Sequence, residues 1–123
     1  MSLIEVHGRL ATSALLYTIV MGVWGLWRYF RHENVNSSYW GALIIGEILY
    51  LAQGSLGAFL FFSGIGNLSG KLIHILYGVV CVLTLPAIFF FTRGEESRRP
   101  MLIYGVGFLF LIGIILRGIS TAG

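Results

Sequence analysis

The sequence predicts an all-α integral membrane protein, an up-and-down bundle of four helices, from three observations. First, 57% of its 123 residues are hydrophobic and 11% charged, with a mean hydropathy of +0.87, which leaves too few polar side chains to wrap a soluble core. Second, four apolar runs are long enough to cross a bilayer, which takes about 20 residues at roughly 1.5 Å each. Third, the breaks between runs are only about eight to nine residues long, which makes successive helices antiparallel neighbours in a single transmembrane domain over 1–123 and leaves no room for a soluble one.

The runs are Leu10 to Phe30, Trp40 to Phe62, Leu72 to Thr92 and Met101 to Leu116. The first helix is expected to start before its run, because Ser2-Leu3-Ile4-Glu5 fits a capping box, in which the serine accepts from an orphan N–H and the glutamate reaches back. Glu5 also spoils a basic leader and no small-residue cleavage site follows before Arg28, so this run is read as a helix of the mature protein. Ser69 can cap the third helix in the same way, with Gly70 and Lys71 in its first turn, and the fourth extends to about Ser120. The expected helices are therefore 3–30, 40–62, 70–92 and 101–120. Pro86 removes a backbone donor within the third and is expected to kink it. Trp24, Trp27, Tyr29, Tyr39 and Trp40 read as an aromatic belt around the first loop.

Lysine and arginine placement orients the bundle. Arg28, Arg31, Arg93, Arg98 and Arg99 lie in or beside the loops after the first and third helices, against Arg9, Lys71 and Arg117 on the other side. That bias puts those loops in the cytoplasm and both termini outside, as expected for a bacterial inner membrane protein. The same rule accounts for the net charge of +3, and no nucleic acid partner is needed. Cys81 is the only cysteine, which excludes an intramolecular disulfide and covalent heme attachment through C-x-x-C-H.

His7 and His74 each follow a serine by five residues, Ser2 and Ser69, at the starts of the first and third helices. Each ring then lies about 7.5 Å inside its helix start. Both fall on one side of the bilayer on parallel helices, which sit diagonally in an up-and-down bundle, roughly 11–14 Å between axes. That gap suits imidazole, iron, imidazole. A porphyrin plate needs small residues beside it, and Gly8 and Ala11 accompany His7, Gly78 accompanies His74, and Gly54 and Gly57 of the second helix lie at the same depth. His7 and His74 are thus the candidate axial ligands of a heme b iron held by coordination and packing alone. Gln53 is expected to bond across the bundle or to the second nitrogen of a ligand histidine. Lys71 and Arg117, with Arg9 as a third, are candidate partners for anionic propionates.

The order His7-Gly8-Arg9, then Gln53-Gly54-Ser55-Leu56-Gly57, then His74 resembles one four-helix half of the heme A synthase family. The resemblance covers about three of the four helices. That family is built from two such halves, each with a histidine pair able to ligate heme, and oxidises a heme methyl group. Here only one half is present, a glycine separates His7 from Arg9, and Glu5 lies two residues before the histidine, where the family's essential acid lies three before. The resemblance therefore implies the heme-binding bundle, similar to membrane b-type cytochromes, rather than the synthase reaction.

Glu47 lies roughly 10 Å deep in the second helix, where a charge costs at least ~2.5–3.5 kcal/mol unless partnered or neutral. It is read as a proton site or as a neutral, hydrogen-bonded acid. His32, in Arg31-His32-Glu33-Asn34, reads as a solvated loop residue. Three functions are thus expected to compete. One is a b-type cytochrome for electron transfer, served by a redox partner. The second is a small homodimeric proton-coupled transporter using Glu47. The third is a heme-free accessory subunit of a larger membrane complex.

Overall fold

The computed structural model describes residues 2–63 and 71–121, and all four expected helices are present. They are α1 (Leu3–Phe30), α2 (Ser37–Phe62), α3 (Lys71–Thr92) and α4 (Arg98–Thr121). Each is long and apolar enough to cross a bilayer, so the chain is an integral membrane protein. Large apolar side chains such as Val20, Ile48, Leu72 and Phe90 stay exposed on the outside of the bundle, as a lipid-facing surface requires.

Helix α1 packs against α2 and α4, and α3 packs against the same two. Among the described residues the backbones of α1 and α3, and of α2 and α4, stay more than 8 Å apart from Cα to Cα, and only side chains meet across the diagonals. The four helices therefore form a ring in chain order with α1 and α3 on one diagonal, as expected for antiparallel neighbours joined by short loops.

The ends show why each helix starts where it does. Ser2 Oγ accepts from the Glu5 N–H at 3.2 Å, which confirms the expected cap of α1. Asn36 caps α2, its Oδ1 accepting from the Tyr39 N–H at 2.8 Å, so α2 begins three residues before its apolar run. Helix α4 also starts three residues early, because Arg98, Arg99 and Pro100 form its first turn, where a proline's missing N–H has no partner to lose. The expected cap at Ser69, with Gly70, lies outside the described residues. Helix α3 runs uninterrupted through Pro86. Helices α1 and α3 both terminate through a left-handed residue that is not glycine, His32 at φ 60° and Arg93 at φ 54°. At the first, the Glu33 N–H reaches the Arg28 carbonyl at 2.9 Å and the His32 N–H the Tyr29 carbonyl at 3.0 Å, the paired bonds of a Schellman cap. His32 is thus the turn residue of an exposed loop, consistent with its expected role.

The loops after α1 and α3 are joined to each other. The Val35 N–H donates to the Glu96 carbonyl at 3.0 Å, the Trp40 indole to the Glu96 carboxylate at 3.1 Å, and Arg98 Nε to the Tyr29 carbonyl at 2.7 Å with its guanidinium 4.0 Å from the Tyr29 ring centre. Arg28 meets Glu33 at 2.7 Å. Above this polar layer lies the tightest packing, with Met21, Tyr39, Met101, Tyr104, Phe108 and Leu111 at or near zero exposure. Tyr39 departs from the expected aromatic belt: its ring is in the core, 4.9 Å from that of Trp24, and its hydroxyl donates to the Met21 carbonyl. Trp27 remains exposed, as an interfacial anchor would.

Small residues bring α1 and α4 together. A Cβ on Gly105 would lie 2.8 Å from Leu26 Cδ2 and 3.1 Å from the Leu26 nitrogen, and one on Gly25 would lie 3.2 Å from Gly105 Cα. Close backbone approach of this kind is how helices associate in lipid, where burial from water contributes nothing between them. Gly105→Ala is expected to destabilise the protein by about 1–3 kcal/mol through overpacking against backbone that cannot yield. His32→Gly should instead be neutral or stabilising by up to about 1 kcal/mol, because glycine adopts the left-handed cap without strain. Thermal unfolding of both variants in detergent, beside the wild type, checks the pair.

Candidate functional site

The opposite end of the bundle is built differently. Here the start of α1, the end of α2, the start of α3 and the end of α4 meet, and between them lies a cavity of about 970 Å³. This is at the upper end of the roughly 300–1,000 Å³ of small-molecule and cofactor sites. The walls come from residues one and two turns apart on each helix. His7, Ala11 and Ala14 line it from α1; Tyr50, Gln53, Gly54 and Gly57 from α2; His74, Tyr77, Gly78 and Cys81 from α3; Ile115, Gly118 and Ile119 from α4. Spacings of three, four and seven put each set on one helical face.

His7 and His74, on diagonal helices, face each other across this space. Their ring centroids are 6.0 Å apart and their planes 73° from parallel. Both rings are half-buried. Among the described residues no group of three or more His, Cys, Asp or Glu side chains gathers anywhere in the bundle.

The structure assigns the supporting residues more narrowly than the sequence did. Gln53 Nε2 donates to the backbone carbonyl of His7 at 2.9 Å, so its amide ties α2 to the main chain of α1 rather than to a histidine ring nitrogen. Gln53 Oε1 is buried and has no hydrogen-bond partner among the described residues. Gly57 lies against the His7 ring: an added Cβ would sit 3.1 Å from Cε1, so the missing side chain makes room for the imidazole. A Cβ added to Gly54 would lie 3.4 Å from Val82 Cγ2, so this glycine also serves the α2/α3 contact. At Gly8 and Gly78 an added Cβ would meet nothing within 4 Å, and both glycines line the cavity. Their absent side chains leave open volume rather than a packed contact.

The expected cations are placed less directly. Arg117 lies in the last turns of α4 at the same end, exposed and not among the residues lining the cavity, although Gly118 beside it does line it. Arg9 is exposed and likewise outside the lining. The side chain of Lys71 lies outside the described residues. Glu47 does not reach this cavity at all, and lines a separate groove nearer the loop end.

Sequence reasoning missed Tyr50, Tyr77 and Cys81 as lining residues. The signal was present: Tyr50 stands three, four and seven residues before Gln53, Gly54 and Gly57, while Tyr77, Gly78 and Cys81 follow His74 at the same intervals. Tyr50 forms the floor, its hydroxyl paired at 2.5 Å with that of Thr18, which in turn donates to the Ala14 carbonyl. No family model matches the chain, nor does any curated protein or any solved structure.

Gln53→Leu keeps the size of the side chain and removes its hydrogen bond from α2 to the His7 carbonyl, along with the buried Oε1. It is expected to lower stability by up to about 1 kcal/mol, which detergent unfolding of the variant beside the wild type will register.

Proposed function

We propose that the protein is a membrane b-type cytochrome that holds one heme b between α1 and α3, with His7 and His74 as its two axial ligands, and passes single electrons. The observation that carries this reading is the separation of the two rings. With a metal–imidazole nitrogen bond of about 2.0 Å, the zinc value used as a guide, two imidazoles on opposite sides of one metal place their centroids about 6–6.5 Å apart. Those of His7 and His74 are 6.0 Å apart. The cavity volume and the missing side chains at Gly8 and Gly78 suit a flat, largely apolar ligand. The residues present thus fit the group.

Bound there, heme would supply a one-electron couple. The chain's own side chains do the positioning. His7 and His74, from α1 and α3, are the residues that would hold the heme iron. Gln53 anchors the main chain that carries His7, Gly57 leaves its ring room, and the apolar walls exclude water. Lys71 and Arg117 are proposed as propionate partners from their positions next to the lining residues of α3 and α4. The distribution of lysine and arginine supports a bacterial inner membrane setting with both termini and the histidine end outside. In this reading the electron partner is a redox protein or larger membrane complex on that side, and pairing of two chains remains compatible with it.

Purified protein supplied with heme is expected to be red, with a Soret band and sharp α and β bands on reduction. His7→Ala and His74→Ala should each remove the sharp bands and lower the heme-to-protein ratio by about tenfold or more, since even indirect supports of metal sites are worth 10–100-fold. A wild-type protein that stays colourless when heme is supplied overturns the reading. Gly78→Leu provides a separate check. Its side chain enters open space, so the variant should fold and melt like the wild type while its heme content falls at least as steeply as in His74→Ala; normal heme content in a folded Gly78→Leu would place the ligand elsewhere.

A further inference from the structure

Between α2 and α3, in the half of the bundle nearer the loops, lies a second opening of about 220 Å³ that shares no lining residue with the histidine cavity. Its walls are Trp40, Ile44 and Glu47 on one side and Pro86 and Phe89 on the other, with Tyr104 of α4 behind. The surface is almost wholly apolar and carries a single ionisable carboxyl, that of Glu47. Oε1 of that carboxyl is buried and, among the described residues, has no hydrogen-bond partner. No lysine, arginine or histidine lines the groove, and none of the described ion pairs involves Glu47. The aromatic rings form a contiguous group, Trp40 standing 5.7 Å from Phe89 and 6.2 Å from Tyr104, both edge to face. Ile44 and Phe89 are exposed at its rim, so the groove opens toward the acyl chains.

We propose that this groove binds a small lipophilic organic cation, an amine or quaternary ammonium with an apolar body that enters from the bilayer. A carboxylate within the span is unfavourable without a partner. Among the described residues none is supplied in the groove, whereas a ligand cation would meet Glu47 with its charge and the rings of Trp40 and Phe89 with its alkyl shell, the pairing by which aromatic residues select ammonium groups. The apolar remainder of the groove rejects hydrated metal ions, which need several oxygen ligands. This site does not depend on heme in the other cavity.

The test compares benzyltrimethylammonium with its uncharged isostere neopentylbenzene, each titrated at mildly alkaline pH against the full chain in nanodiscs of zwitterionic lipid, with empty discs subtracted. Trp40 serves as a fluorescence reporter alongside equilibrium dialysis. The cation is expected to bind saturably and at least about tenfold more tightly than the isostere. Glu47→Gln should abolish that preference without changing the melting temperature, and Phe89→Leu should keep the preference while weakening the cation about threefold. Equal binding of the two probes, absence of saturable cation binding, or a preference that survives Glu47→Gln overturns the proposal. If Glu47→Gln does not fold, the two probes on the wild type and on Phe89→Leu decide the question, an unchanged cation affinity in Phe89→Leu overturning it.

Discussion

The diagonal placement of α1 and α3 is the constraint on which the histidine end depends. Short loops make neighbours antiparallel, so the first and third helices run in the same direction and begin at the same membrane face. Because they are diagonal, their backbones stay more than 8 Å apart from Cα to Cα, and only side chains bridge them. The girth of α2 and α4 keeps their backbones out of a helix interface, so His7 and His74 reach each other edge to face within the cavity rather than across a packed backbone seam. Had the two histidines fallen on adjacent helices, the close approach seen at Gly25 and Gly105 would leave no volume between them.

That space survives because the two ends of the bundle are fastened differently. At one end the loops are joined through Glu96, Arg98 and the Tyr29 carbonyl, and aromatic and methionine side chains fill the interior to zero exposure. At the other end glycines and alanines intersperse the larger side chains, leaving open volume between them, and Gln53 spans to the His7 carbonyl. Polar contacts are strong where water is scarce, so the Gln53 amide, with the Thr18–Tyr50 hydroxyl pair below it, holds α1 against α2 without filling the interior. The thickness of packing thus falls along the bundle from loops to histidines, and the cavity is where the side chains run out.

Much of this was readable in the chain. Hydropathy and run length gave the four spans, and Ser2 with Glu5 placed the start of α1, because both are local properties of consecutive residues. The matching positions of His7 and His74 were visible for the same reason. The partners of Gln53 and Gly57 were not. A glutamine donor satisfies a ring nitrogen and a backbone carbonyl equally well on paper, and a glycine beside a histidine reads equally as a wall for a flat ligand and as clearance for the ring. The early starts of α2 and α4 were also missed, since Asn36 and Pro100 act through caps and first turns that lie outside the apolar runs.

The sequence by itself therefore determined the class of the protein and the number and alternating direction of its helices, which follow from the cost of exposing backbone and charge to hydrocarbon. Only the tertiary structure decided which faces of those helices turn inward together. It brought Tyr50, Tyr77 and Cys81 to the histidine cavity, left Arg117 outside its lining, and gave Glu47 a groove of its own between α2 and α3. The reason is rotational: a uniformly apolar helix has little preference about its own axis until small residues on its neighbours admit one face and larger ones exclude the others.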